Sequence, residues 1–235
     1  VIEAIKHASY ALGRKPELHW LGSEEYEKNP AKLKELSRYD GIIIPGGFGS
    51  RGVEGKIRAI EFARTHKIPY FGLCYGMQLA VIEYARNVLK LKDATSEEIN
   101  RGSKNHVIGV MLEQREKIAE AKYGGTMRLG AYPAMLKSGT IARDAYKKAE
   151  ISERHRHRYE VNPDYIAQLE EGGLVFSGTS PDKRLMEIAE LSTKVHPFFL
   201  GTQFHPEFKS SPLVPHPLFL AFIKAATRGR RKKSK

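Results

Sequence analysis

Apolar positions at the start of the chain recur with helical spacing: Ile2, Ile5, Ala8, Tyr10 and Leu12 share one face, and Gly13 stops the run. The opening helix of a sheet protein normally follows a strand, so the native chain is expected to begin earlier than Val1. Leu18 to Leu21 reads as a short strand, and Asn29-Pro30 introduces a helix over residues 31–37. Gly41-Ile42-Ile43-Ile44 is a continuous apolar run closed by Pro45-Gly46-Gly47, the pattern of a strand covered on both faces. The spacing then predicts a helix over 53–66, a strand over 68–73 and a long helix over 76–91. From residue 126 the texture turns strand-rich, with strands expected at 126–131, 174–179, 184–191 and 198–204 and a turn at Ser180-Pro181-Asp182-Lys183. A last helix is expected over 218–226.

Strand and helix alternate through the first half, so the expected class is α/β: a mostly parallel central sheet flanked by helices, with antiparallel additions from the second half. In such sheets, ligands bind outside the carboxyl ends of the strands.

Composition narrows the function classes. The chain has 235 residues, 41% of them hydrophobic, enough to bury one substantial core. It has no apolar stretch of membrane-spanning length and no secretory leader pattern, which points to the cytoplasm. The formal charge is +12, but seven basic residues stand between Lys224 and Lys235 with no acid among them, leaving +5 on the rest. The positive charge therefore reads mainly as a solvated basic tail over 228–235 rather than as a nucleic-acid surface. A single cysteine, Cys74, excludes an internal disulfide and a multi-cysteine metal site.

That cysteine stands in Gly72-Leu73-Cys74-Tyr75-Gly76, where an apolar strand meets a long helix. This is nucleophile-elbow spacing: the glycines permit close backbone approach, and the helix N-terminus offers amide donors and a potential that favours a thiolate. A lone cysteine is commonly a structural core residue, but flanking glycines at a strand-to-helix junction favour the functional reading. Gln203-Phe204-His205-Pro206-Glu207 follows a predicted strand, placing His205 to take the thiol proton and Glu207 to orient the imidazole. A His-x-Glu pair alone is a weak signal; joined to the elbow it becomes specific. Pro45-Gly46-Gly47-Phe48-Gly49 lacks the Lys-Ser/Thr of a phosphate loop, and its amides suit an oxyanion, with Gly47 and Tyr75 as the donors.

These three motifs, in this order, resemble the class I glutamine amidotransferases, whose fold is flavodoxin-like. Residues 45–56, 76–88, 127–130, 153–162 and 203–208 are similar, more narrowly, to the C-terminal glutaminase domains of the CTP synthase family, and Arg-His-Arg-His-Arg-Tyr at 154–159 is the most discriminating run. The resemblance implies a glutaminase with Cys74 as nucleophile, His205 as base and Glu207 as its orienter. It implies a pocket for L-glutamine built from Gly47, Phe48, Tyr75, Gly76, Met77, Gln78, Glu98 and Arg158, with no metal and no cofactor in this domain. An anionic Glu98 and a cationic Arg158 suit the two ends of a zwitterion. Tyr75 departs from the family, which usually has leucine there.

The resemblance further implies a partner synthetase domain, absent from this chain, that uses ATP and Mg to aminate UTP to CTP. It also implies GTP as an activator at the domain junction and a homotetramer for the full enzyme. On this reading residues 1–227 form the amidotransferase domain. Another class I amidotransferase, a catalytically silent regulatory domain and a nucleic-acid binder are the alternatives. The 153–162 segment argues against the first, the complete triad against the second, and confinement of the charge to the tail against the third.

Overall fold

The computed structural model describes the backbone of residues 1–110 and 127–233, and side chains as far as Arg228. Its strands are β1 (Ile42–Ile44), β2 (Tyr70–Leu73), β3 (Thr95–Ser96), β4 (His106–Val110), β5 (Arg128–Leu136), β6 (Glu150–His157), β7 (Tyr159–Val161), β8 (Val175–Thr179), β9 (Met186–Glu190) and β10 (Phe199–Thr202). They form a seven-stranded sheet in the order β1-β2-β10-β9-β8-β5-β6 and a three-stranded sheet in the order β3-β4-β7. The sheet is mixed, as the alternation predicts. β1, β2 and β10 run parallel, and the additions beyond β10 are antiparallel.

The helices that matter for the site are α1 (Ile2–Ala11), α2 (Ser23–Lys28), α3 (Val53–Thr65) and α4 (Tyr75–Asn87). α4 is buried at every position from Tyr75 to Ala85, because it lies between the main sheet and the smaller one. Apolar residues from α3, α4, β2 and β10 form one core cluster, while α1 and the C-terminal helix Pro217–Lys233 close a second on the other face of the sheet. Gly13, at φ +65°, ends α1 as expected.

Several elements differ from the sequence pattern. Residues 18–21 form no strand, and Trp20 is 77% exposed: its apolar neighbours have no sheet to join. The short helix α2 was not legible, because Ser-Glu-Glu-Tyr-Glu-Lys buries only Tyr26. The helix expected over 31–37 is a 3₁₀ helix, Pro30–Arg38, with the Asn29 side chain accepting from the Ala31 amide. The strand expected from Thr126 begins at Arg128, and Thr126 lies outside the described residues. β6 and β7 occupy a run read only as a basic motif. The C-terminal helix continues through Arg228 to Lys233, so most of the basic run is helical; residues 234–235 lie outside the described residues.

Candidate active site

Strand register explains why distant segments meet. Gly72 of β2 pairs with Ile44 of β1 on one side and with Gly201 of β10 on the other. Two residues beyond that line, at the carboxyl ends of three adjacent parallel strands, stand Gly46, Cys74 and Gln203. The chain's glycine-rich loop, its cysteine and its His-x-Glu segment therefore share one edge, where open α/β sheets place ligands.

Cys74 caps α4 with φ +49° and ψ −96°, a conformation that costs of order 1–3 kcal/mol in a non-glycine residue. The surroundings hold it there. Its amide donates to the Thr202 carbonyl at 2.6 Å, and the Tyr70 phenol donates to the Gly76 carbonyl at 2.9 Å. The flanking glycines are required by contact: a Cβ on Gly72 would stand 2.7 Å from the Gly76 carbonyl carbon, and one on Gly76 would overlap the Ile44 carbonyl oxygen. Sharp reversal from β2 into α4 thus depends on both glycines.

The Cys74 sulfur lies 3.9 Å from the Arg156 carbonyl oxygen and 3.6 Å from the donating Gln203 Nε2. Burial pushes the thiol up to about 12, with Glu160 and Glu207 adding to the rise and the Tyr75 amide and Gln203 opposing it. Desolvation thus works against the expected preference for a thiolate at the helix N-terminus.

His205 Nδ1 stands 2.9 Å from Glu207 Oε1. A carboxylate only accepts, so Nδ1 carries the hydrogen and Nε2 is left as the basic nitrogen. The ring stacks on Phe208 at 5.0 Å and lies against Gly46, where a Cβ would come within 2.7 Å of its Cε1. The His205 amide also donates to the Arg154 carbonyl at 2.8 Å, fixing this segment to β6. Among the described residues no hydrogen bond joins Cys74 to His205. Catalytic hydrogen bonds commonly tighten only with substrate present.

The remaining site candidates divide between surface and interior. Phe48 is 88% exposed at the tip of the glycine-rich loop. Gly47 lies over the Tyr75 ring, which a Cβ would meet at 3.5 Å. Met77 is fully buried, and its side chain packs against the backbone of Gly201, so it belongs to the core rather than to an open pocket. Gln78 Nε2 donates to the Tyr159 carbonyl at 2.9 Å and to Gln203 Oε1 at 3.3 Å, tying β7 to the segment after β10. Glu98 follows β3, and its Oε1 accepts from the Gly49 amide at 3.0 Å. Arg158 is exposed between β6 and β7. Glu98 and Arg158 act on the same phenol, that of Tyr159: burial and Glu98 raise it, while Arg158 pulls the other way. Both charges thus act on Tyr159 at the start of β7.

The basic motif at 154–158 resolves into two faces. On β6, Glu153, His155 and His157 point inward, while Arg154 and Arg156 point out. His155 Nε2 lies 2.6 Å from Glu187 Oε2, Arg128 Nη1 lies 2.6 Å from Glu187 Oε1, and His157 Nδ1 lies 3.3 Å from Glu160 Oε1. Burial, with Glu187 close by, holds Glu160 well above the carboxylate range against the pull of Arg128. Burial, with His155 and Arg128 adding to it, holds His157 well below the usual imidazole range. Sequence reasoning missed this cluster, and it also missed the contact of Gln203 with the thiol. The available signal for Gln203 was its place two residues before His205, at the end of a strand beside the elbow.

A family model described as glutamine amidotransferase class-I matches residues 1–225. The chain is 55% identical over 229 residues to a CTP synthase of Methanosphaerula palustris and 55% identical over 228 residues to one of Carboxydothermus hydrogenoformans. Each alignment covers 97% of this chain but 41% and 42% of those relatives, so the chain spans about two-fifths of their length. Among solved structures, the glutaminase domain of Trypanosoma brucei CTPS with bound acivicin superposes with a TM-score of 0.90 at 40% identity, covering 97% of this chain and 86% of that one. With the elbow, the His-x-Glu segment and the glycine-rich loop on one sheet edge, these matches show that the chain belongs to the class I glutamine amidotransferases, among the glutaminase domains of the CTP synthase type.

Proposed function

We propose that this chain hydrolyses L-glutamine to glutamate and ammonia through Cys74, His205 and Glu207. The observation that carries the reading is the elbow: a strained Cys74 held at a helix N-terminus, on the same sheet edge as an imidazole whose Nδ1 is fixed by Glu207. Glutamine enters with its ammonium toward Glu98 and its carboxylate toward Arg158. As its side-chain amide reaches the elbow, His205 Nε2 takes the thiol proton and the sulfur attacks the amide carbon. The Gly47 and Tyr75 amides hold the resulting oxyanion.

Collapse breaks the C–N bond. His205 returns its proton to the leaving nitrogen, releasing ammonia and leaving a glutamyl thioester on Cys74. Water then gives a proton to His205 and attacks the thioester; glutamate leaves and the thiol is restored. A buried neutral thiol suits this order, because the proton moves only when substrate has closed the site. The mechanism uses no metal or cofactor at this site, whereas ATP and Mg would serve a synthetase domain.

In a full-length relative the ammonia would aminate UTP to CTP, and contacts with the synthetase domain would organise the Gly46 to Gly49 loop. The purified chain should therefore release glutamate and ammonia from glutamine slowly, and form no CTP from UTP, ATP, Mg and ammonium chloride. Adding a separately produced synthetase domain should give CTP. Absence of glutamate release both alone and in that mixture would contradict the reading.

A further inference from the structure

Two peptide groups meet at Gly49, and each is gripped from a different element. The Gly49 carbonyl accepts from the Tyr75 phenol, and the Gly49 amide donates to Glu98 Oε1 at 3.0 Å. Gly49 itself sits at φ +78°, a turn conformation open to glycine, so the backbone alone does not fix the loop there. We propose that the Tyr75 side chain is a positioning residue of the oxyanion site, fixing the Gly46 to Gly49 loop over the nucleophile through its bond to Gly49. The inference rests on the glutaminase reading and deepens it.

The reasons lie in the connectivity. Tyr75 directly follows Cys74, so its backbone is part of the strained elbow and its amide is directed at the reacting atoms. Its ring runs beneath Gly47, and its hydroxyl reaches Gly49. One residue therefore spans both halves of the oxyanion hole, linking the donor fixed by α4 to the donor carried by a loop.

Among the described residues, the loop's other side-chain hydrogen bond is the one from the Gly49 amide to Glu98. Phe48 at its tip is exposed, so packing of that side chain does not set the loop's position. The phenol is buried, and burial with Glu98 nearby raises it above its ordinary value, so it remains a donor through the working range. A leucine here would fill the space under Gly47 but offer nothing to the Gly49 carbonyl.

Oxyanion donors act by being in place before charge develops, and a loop released by a fraction of an ångström loses more in the transition state than in the ground state. Loss of the hydroxyl should therefore appear in kcat. The carboxylate on the other side of Gly49 would also face the substrate ammonium, so bound glutamine and the Tyr75 bond act on the same loop.

The test compares the whole chain with Tyr75→Phe and Tyr75→Leu. Tyr75→Phe should lower kcat for glutamine hydrolysis about 10- to 100-fold, the scale of a misplaced catalytic group, with KM changed by less than about threefold. Alkylation of Cys74 by iodoacetamide needs no oxyanion hole and should stay within about twofold of wild type. Tyr75→Leu should lose at least as much. Hydrogen exchange, read without any activity, should be about tenfold faster at the Gly49 amide in Tyr75→Phe, as expected for a loop that opens more readily.

Wild-type kcat and Gly49 exchange in Tyr75→Phe would overturn the proposal. So would an equal fall in kcat and alkylation, which would mean the elbow itself had collapsed. If the wild-type chain hydrolyses no glutamine either alone or with the synthetase domain, the glutaminase reading fails separately, and Gly49 exchange still decides whether Tyr75 holds the loop.

Discussion

Gln203 points its side-chain amide at the Cys74 sulfur from 3.6 Å, the sulfur of a thiol whose pKa burial pushes up. On the proposed mechanism the nucleophile would be stored as a hydrogen-bonded thiol, and His205, whose Nδ1 lies 2.9 Å from Glu207 Oε1, would receive its proton.

Reactivity of the thiol follows from that arrangement. Its pKa is raised from the ordinary cysteine value to about 12, so the thiolate fraction is small at neutrality and grows with pH. Iodoacetamide alkylation of the substrate-free chain should accelerate by about tenfold per pH unit from 7 to 10, since only the thiolate reacts. The chain has one cysteine, so whole-protein mass reads the site directly. A plateau reached by pH 8 would mean a preformed thiolate and imidazolium pair.

Roles within the triad give an order of effects. Cys74→Ala should abolish glutamate release with the fold preserved, because it removes the covalent route and one sulfur. His205→Ala should approach the same loss. Glu207→Gln should be milder, because an amide oxygen still accepts from Nδ1 but stabilises the imidazolium less. Steady-state assays with circular dichroism on each variant test this order.

Glu98 and Arg158 should part company. Arg158 is exposed and holds no loop among the described residues, so Arg158→Ala should raise the glutamine KM by about 10- to 100-fold, as expected for loss of a charged hydrogen-bond partner, with kcat nearly unchanged. Glu98 also accepts from the Gly49 amide, so Glu98→Ala should raise KM and lower kcat together. Identical profiles for the two variants would argue against the double role of Glu98.

Stability should depend on the inward face of β6. Arg128, on the neighbouring β5, lies 2.6 Å from Glu187 and 3.7 Å from Glu160, so Arg128→Ala should cost about 3–5 kcal/mol by breaking a buried ion pair. Arg154→Ala, on the outward face, should change stability by no more than about 0.5 kcal/mol. Urea unfolding of both variants makes the comparison.

What the sequence disclosed follows the same physical division. The elbow was legible because close backbone contact at Gly72 and Gly76 leaves glycine at fixed spacing, and β2 and β10 were legible because burial along their whole length makes continuous apolar runs; β1 gave the same signal, but it is an edge strand in which only Ile44 is buried. β6 was hidden because its inward residues, Glu153, His155 and His157, are as polar as the arginines between them; hydropathy carries no alternation where the buried side is charged. The grip of Tyr75 on Gly49 and the approach of Gln203 to the sulfur were hidden for another reason: both depend on three parallel strands ending at one level. Residues 18–21 carried an apolar signal without a partner, and the structure leaves Trp20 in solvent.

The most direct test of Cys74 as the glutamine-attacking nucleophile is intact-protein mass spectrometry after incubation with an electrophilic glutamine analogue, such as a diazoketone, followed by peptide mapping. One adduct should form on Cys74, slow in the presence of L-glutamine and vanish in Cys74→Ala. An adduct on another residue, or labelling of Cys74 that L-glutamine does not slow, would contradict the account.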